Sequence, residues 1–101
     1  MHVEFCRVMS AEHPSLAGHF PGAPIVPGVV ILDEVLAALN EWRECSRISE
    51  VSAVKFLAPL KPGQPFTISL SVADEPRTKV DFSCRVDDRV IVQGQLQVVF
   101  R

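Results

Sequence analysis

The sequence lacks several features that mark whole classes of protein. Ten basic residues stand against twelve acidic ones, a net charge of -2, so the basic excess typical of nucleic-acid binders is missing. No apolar run approaches the roughly 18 residues of a membrane-spanning helix. The first residues, Met1 to Glu4, show no basic region followed by an apolar stretch, so no secretory signal is expected. Nucleic-acid binding, membrane insertion and secretion are therefore disfavoured.

Cysteine is scarce and odd in number. The three cysteines, Cys6, Cys45 and Cys84, are scattered, which favours reduced thiols in a cytoplasmic protein over a disulfide framework or a zinc site. The sequence also lacks a glycine-rich phosphate-binding motif. We therefore expect a cytoplasmic protein that needs no metal and no organic cofactor.

The composition is that of an ordinary globular protein, but the prolines are distinctive. A chain of 101 residues with 48 % hydrophobic and 22 % charged residues is expected to form one domain over 1–101. Prolines cluster over 14–27 and over 59–65. Because proline lacks an amide donor and fixes φ, neither cluster can be a helix interior or a central strand. The first cluster belongs to a loop over 10–27, and loops of that length in a small domain are often functional.

Hydrophobic periodicity divides the rest of the chain into one helix and five strands. Gly28 to Trp42 has apolar residues at helical spacing and no internal proline, which predicts an amphipathic helix. The residues expected to share its apolar face are Ile31, Leu32, Val35, Leu36, Leu39 and Trp42. Alternating or β-branched segments predict five strands, over 2–8, 48–57, 66–72, 79–86 and 90–100. Turn signals at 74–77 and 87–88 indicate antiparallel hairpins. The arrangement is α+β, and either a sheet wrapped around a central helix or a cystatin-like roll would satisfy it.

The loop before the helix holds the best candidate for chemistry. It carries His19 between a glycine and a phenylalanine and then runs to the predicted helix start at Gly28. A helix amino terminus has free amide donors and partial positive charge. A base beside such donors resembles half of an active site, although a lone loop histidine is more often structural. His13 and His2 have weaker claims, and His13 and His19 do not form a metal-ligand spacing.

Two segments carry a resemblance to a known family. Residues 18–29 read GHFPGAPIVPGV and residues 55–63 read KFLAPLKPG. They resemble the active-site segment and the strand connection of the beta-hydroxyacyl-[acyl-carrier-protein] dehydratases, and in particular the small, aryl-polyene-type members. The resemblance implies a hot-dog fold, an antiparallel sheet wrapped around one central helix. It also implies a lyase that removes water from a 3-hydroxyacyl thioester on acyl-carrier protein. The product would be a trans-2-enoyl thioester in fatty acid or polyene-type lipid synthesis.

The same resemblance assigns roles to particular residues. The family's catalytic histidine falls on His19, and its acidic partner, fourteen residues later, falls on Asp33. The amide that binds the thioester carbonyl falls on Gly28. Glu34 adjoins Asp33 and leaves a one-residue alternative for the acid. The helical wheel gives no independent support for Asp33, because it places Asp33 on a polar side of the helix. Position 29 is valine, where the isomerase branch typically has cysteine, so isomerisation is not predicted.

The resemblance further implies a substrate tunnel and two kinds of partner. Candidates for the tunnel lining, which core packing would explain equally well, are Phe20, Val29, Val30 and Phe56. Basic residues would steer an acidic carrier protein to the mouth of the site. The candidates for that role are Lys61, Arg77 and Lys79. The resemblance also implies a homodimer whose active sites are shared between chains.

Two other functions stay open on the sequence alone. One is an acyl thioesterase of the hot-dog fold, which does not normally carry the HFPG segment. The other is a non-catalytic hot-dog subunit that binds acyl-carrier protein or completes a heterodimer. Turnover by the purified protein alone distinguishes the enzyme from such a subunit.

Overall fold

The computed structural model describes residues 2–9, 25–43, 45–72 and 78–100. The elements are β1 (His2–Val8), α1 (Gly28–Trp42), β2 (Cys45–Phe56), β3 (Pro65–Val72), β4 (Lys79–Val86) and β5 (Arg89–Phe100). The predicted helix bounds are confirmed, and so are all five predicted strands, with small shifts at their ends. The predicted turn at 74–77 and most of the predicted 10–27 loop lie outside the described residues. The helix is neither long nor apolar enough to cross a membrane, and no other helix was found in the described part of the chain.

The five strands form one antiparallel sheet whose order differs from the order in the sequence. The order is β1-β3-β4-β5-β2, with every neighbouring pair antiparallel. The strands of the β3–β4 and β4–β5 pairs are neighbours both in the sequence and in the sheet, as the turn signals predict. β2 instead pairs with β5 at one edge, so residues 57–64 carry the chain from that edge to the strand beside β1. This crossing segment contains two prolines of the second cluster, and the third, Pro65, is the first residue of β3, a strand position that proline tolerates.

The helix packs its apolar face against one side of the sheet. Its buried residues are Val30, Ile31, Val35, Ala38 and Leu39. The facing side chains of the sheet alternate along each strand and include Phe66, Ile68, Leu70, Val80, Phe82, Cys84, Val92, Leu96 and Val98. Three apolar residues of the predicted helical face, Leu32, Leu36 and Trp42, are only partly buried. The buried face is therefore rotated from the predicted one toward Val30 and Ala38.

Two backbone details shape the sheet beside the helix. A Cβ at Gly94 of β5 would lie 2.8 Å from Cζ of Phe82, a buried ring, so only glycine fits there without overpacking. In β2, a bulge falls between Ser52 and Lys55, and Ala53 within it has a φ of 53°. Bulges bend the strand that carries them, so β2 bends just before it reaches its end at Phe56.

A polar network ties three strands together on the sheet face that points away from the helix. Ser69 Oγ donates to Glu4 Oε2 at 2.9 Å, and Arg85 donates to Ser69 Oγ at 2.7 Å and to Glu4 Oε2 at 3.0 Å. The hydrogen bond from Ser69, followed by that from Arg85, lowers the pKa of the Glu4 carboxyl. This network stabilises the pairing of β1, β3 and β4 and lies on the opposite side of the sheet from α1.

Candidate functional site

The amino terminus of α1 has no side-chain cap among the described residues. Pro27 occupies the N-cap position and makes no capping hydrogen bond. The Val30 and Ile31 amides both donate to the Pro27 carbonyl, at 3.0 and 3.3 Å. No acceptor among the described residues is recorded for the amides of Gly28 and Val29. Free amides at the positive end of a helix are suited to bind an oxygen on which negative charge develops.

An apolar cavity of about 450 Å³ adjoins this helix terminus. One wall comes from the start of the helix and the residues before it, and the other from the segment that follows β2. The lining residues are Ile25, Val26, Gly28, Ile31, Phe56, Leu57, Ala58, Pro59 and Leu60. The described part of the first motif and the second motif thus meet at one cavity, although residues 30–54 separate the two motifs.

Backbone hydrogen bonds hold the two walls of the cavity in place. The Val26 amide donates to the Leu60 carbonyl at 2.8 Å, which joins one wall to the other. The Leu57 and Ala58 amides donate to the Ile91 carbonyl, at 2.7 and 3.3 Å, and attach the second wall to β5. The cavity is therefore a preformed feature of the fold.

The ring of Phe56 lies directly against Gly28. A Cβ built on Gly28 would lie 2.7 Å from both Cε1 and Cζ of that ring, closer than real Cβ contacts. Phe56 is nonetheless 54 % exposed, so the ring lies at the cavity mouth. Glycine at position 28 therefore lets an aromatic ring approach the first residue of the helix.

The two adjacent carboxylates of α1 lie in different surroundings. Glu34 Oε2 is 3.7 Å from Nε of Arg7 on β1, and the same arginine also pairs with Glu41 two turns further along the helix. Asp33 is exposed, and no partner for its carboxylate is recorded among the described residues. Because successive helix residues point about 100° apart, pairing of Glu34 with Arg7 leaves Asp33 on a different side.

Only some of the remaining predicted site residues are described by the structure, and fewer of them line the cavity. His19 and Phe20 lie outside the described residues, as does Arg77. Val30 is buried in the core and Val29 is 65 % exposed, so of the described tunnel candidates only Phe56 lines the cavity. Lys61, which is exposed, directly follows the lining residue Leu60. The structure therefore brings Gly28 and Phe56 together.

Sequence reasoning missed most of the cavity wall and the partner of Glu34. Ile25, Ile31 and residues 57–60 belong to or adjoin the two motifs, so the motifs themselves were the signal that could have located the cavity. Nothing in the sequence pairs Arg7 with α1.

Cys84 is fully buried in the core, and burial raises the pKa of its thiol to about 12, which keeps it protonated and unreactive.

Comparison with known proteins decides the family. A family model described as ApeI-like, ApeI dehydratase, matches residues 2–95. The chain belongs to the ApeI-like dehydratase family. The comparison confirms the predicted family and the predicted dehydratase function, which makes this protein a lyase.

Relatives and solved structures agree with that assignment. The chain is similar to the 3-hydroxyacyl-[acyl-carrier-protein] dehydratase FabZ of Vibrio parahaemolyticus, with 30 % identity over 92 % of this chain and 70 % of the relative. It is 29 % identical to FabZ of Chlamydia trachomatis over 90 % of this chain and 67 % of that relative. The chain therefore spans about two thirds of the length of these relatives.

Two solved structures share the fold of this dehydratase. The dehydratase heterocomplex ApeI:P from Xenorhabdus doucetiae matches with a TM-score of 0.84 and 24 % identity, over 97 % of this chain and 87 % of that one. The 1,4-dihydroxy-2-naphthoyl-CoA thioesterase Slr0204 from Synechocystis matches with a TM-score of 0.76 and 14 % identity, over 98 % and 81 %. These matches confirm the predicted hot-dog fold.

Proposed function

We propose that this dehydratase removes water from a 3-hydroxyacyl thioester carried on acyl-carrier protein and releases the trans-2-enoyl thioester. The observation that carries the proposal is the amino terminus of α1, which has no side-chain cap among the described residues and whose first residue, Gly28, lines an apolar cavity. The free amide suits a thioester carbonyl, and the cavity suits an acyl chain. The FabZ relatives are named for the same reaction on the same carrier.

The proposed mechanism uses three groups of the chain. The Gly28 amide donates to the thioester carbonyl and stabilises negative charge on its oxygen as the enolate develops. His19 takes the proton from C2, the electron pair of that C–H bond forms the C1–C2 double bond of the enolate, and the carbonyl electrons move onto its oxygen. The carbonyl then re-forms, the C1–C2 pair becomes the C2–C3 double bond as the C3–O bond breaks, and Asp33 gives its proton to the departing hydroxide, which leaves as water. An imidazole that is largely neutral at physiological pH suits the role of base.

The direct test is turnover by the purified protein. We expect 3-hydroxyacyl carrier-protein thioesters to be converted to a product that absorbs as a conjugated enoyl thioester. Free thiol, followed in the same samples, should not accumulate. Release of thiol without enoyl product would instead identify a thioesterase. Absence of both, with a correctly folded protein, would favour a non-catalytic subunit.

The carrier protein is the proposed macromolecular substrate, and Lys61 is the best placed of the residues that could steer it. Carrier proteins are normally acidic, and basic residues at the mouth of a site raise the rate of encounter. Lys61 is exposed and follows the cavity residue Leu60. Lys79 begins β4 and is half-buried. We place the reaction in the cytoplasm, in keeping with the scattered cysteines, of which Cys6 and Cys84 are free thiols.

We also propose a homodimer whose sites take His19 and Asp33 from different chains. β2 is a twelve-residue strand at a sheet edge, and an unpaired edge with exposed apolar side chains favours association. Val51 on this strand is 45 % exposed, and Val99 on the adjacent β5 is 39 % exposed. Pairing of β2 with a second copy would cover both the edge and these side chains.

Mixing two inactive variants tests the shared site. We expect His19→Ala and Asp33→Ala proteins to be inactive alone and to recover part of the activity once subunits have exchanged. The recovery is expected because each mixed dimer regains one intact site. Sedimentation of the unmixed protein should give a dimer. A fully active monomer would contradict the proposal, and activity that requires a second, different chain would replace it with a heterodimer of the kind named for the Xenorhabdus doucetiae complex.

A further inference from the structure

Phe56 occupies the space beside the proposed carbonyl-binding amide. Its ring lies so near Gly28 that a Cβ there would be 2.7 Å from two ring carbons. An oxygen bound by the Gly28 amide lies about 2.9 Å from its nitrogen. The carbonyl carbon and C2 follow that oxygen by one and two bonds. The first carbons of an acyl group bound there would lie within roughly 6 Å of the Gly28 nitrogen, and the Phe56 ring is the side chain packed against that residue.

The backbone walls of the cavity are held by hydrogen bonds, whereas the Phe56 ring is a side chain that can move. The Val26–Leu60 and Leu57–Ile91 hydrogen bonds, at 2.8 and 2.7 Å, would have to break for the cavity to widen. Ile31 on the helix side is buried in the core. Among the described residues, Phe56, at the end of β2 and half exposed, is the aromatic side chain that borders both the helix terminus and the cavity. Extra bulk at C2 of the substrate would therefore have to displace this ring.

We propose that Phe56 determines specificity at C2, so that unbranched 3-hydroxyacyl thioesters are accepted and 2-methyl-branched ones are discriminated against. The inference rests on the proposed function and narrows its substrate class. A 2-methyl substrate keeps one hydrogen at C2, so its dehydration stays chemically possible and discrimination has to be steric. Discrimination by a single methyl group in an apolar pocket is typically about tenfold or more.

The test compares the specificity constants, kcat/KM, for 3-hydroxybutyryl and 3-hydroxy-2-methylbutyryl thioesters, with each diastereomer of the branched substrate assayed separately. We expect the wild-type protein to prefer the unbranched substrate by about tenfold or more. Phe56→Ala should remove most of that preference, chiefly by raising kcat/KM for the branched substrate. Phe56→Leu, which keeps an apolar side chain without the ring, should give an intermediate ratio.

Leu57→Ala is the matched control. Leu57 is adjacent, is 52 % exposed and lines the same cavity, but it is not among the atoms nearest to a Cβ on Gly28. We expect this variant to keep the wild-type ratio. Melting curves check that each variant is folded, and Phe56→Leu provides the measurement if the alanine variant does not fold.

The outcomes separate this inference from the proposed function. A folded wild-type protein that dehydrates neither substrate would refute the proposed function. Dehydration of the unbranched substrate with an unchanged ratio in both Phe56 variants would refute only the role of Phe56. Equal turnover of branched and unbranched substrates by the wild type, or an equal change of ratio in Leu57→Ala, would also overturn it.

Discussion

Replacement of His19 by alanine is expected to abolish conversion of 3-hydroxyacyl to enoyl thioester without unfolding the protein. The base that removes the C2 proton contributes about 10²–10⁴ to the rate. Within the matched motif, GHFPGAPIVPGV, His19 is the one side chain that can accept a proton at physiological pH. The expected loss is therefore nearly complete and falls mainly on kcat, because the Gly28 amide and the apolar cavity, which we propose bind the thioester, are left unchanged.

His13→Ala is the matched control for His19→Ala. It removes an imidazole from the same segment of the sequence, six residues earlier, and we expect it to retain near-normal turnover. The measurement is the initial rate of enoyl formation for both variants on one substrate, with melting curves alongside. Near-normal turnover by His19→Ala would show that the proposed mechanism is wrong.

The second large effect is expected from Asp33→Asn, which should lower turnover by about 10² or more if the carboxyl is the general acid. The asparagine side chain has nearly the same shape but cannot supply the proton that the departing hydroxide needs. Asp33 is on the solvent side of α1 in the single chain, where a second chain could approach it. A carboxyl that acts as an acid has to lie beside the departing hydroxyl, and association of two chains would enclose Asp33 in the shared site.

Glu34→Gln is the control, and the fold explains why its effect should be small. Glu34 faces Arg7 on β1 at 3.7 Å, and Arg7 also pairs with Glu41. Partly exposed ion pairs contribute only about 0–1 kcal/mol. We therefore expect Glu34→Gln to keep near-normal turnover and to lower the melting temperature slightly. If Glu34→Gln is inactive and Asp33→Asn is active, the position of the acid assigned from the family resemblance is wrong by one residue. If neither substitution matters, His19 works with water alone or the reaction is not a dehydration.

The choice between these two carboxylates illustrates how sequence and structure contribute differently. The spacing of fourteen residues from His19 favours Asp33, but it cannot exclude a shift by one position. The ion pair of Glu34 with Arg7 joins residues 27 positions apart in the chain. No local pattern predicts such a pair, because it depends on which strand lies beside the helix.

The cavity at the helix terminus also depends on contacts between segments that are far apart in the sequence. Each of its two walls belongs to a motif visible in the sequence, and proline makes both motifs recognisable as non-helical connections. Their meeting depends on the strand order β1-β3-β4-β5-β2, which sends the chain across the sheet after β2. The contact between Phe56 and Gly28 follows from that crossing and was not predictable from either motif alone.

By itself, the sequence determined the helix, the strands, the turn at 87–88 and the family, since periodicity, backbone preferences and motif spacing act over a few residues. Tertiary structure alone decided the strand order, the rotation of α1 that buries Val30 and Ala38, the partner of Glu34 and the position of the Phe56 ring. The physical reason is that these features are contacts between segments far apart in the chain. Their free energy comes from packing the whole core at once, so no short window of sequence contains it.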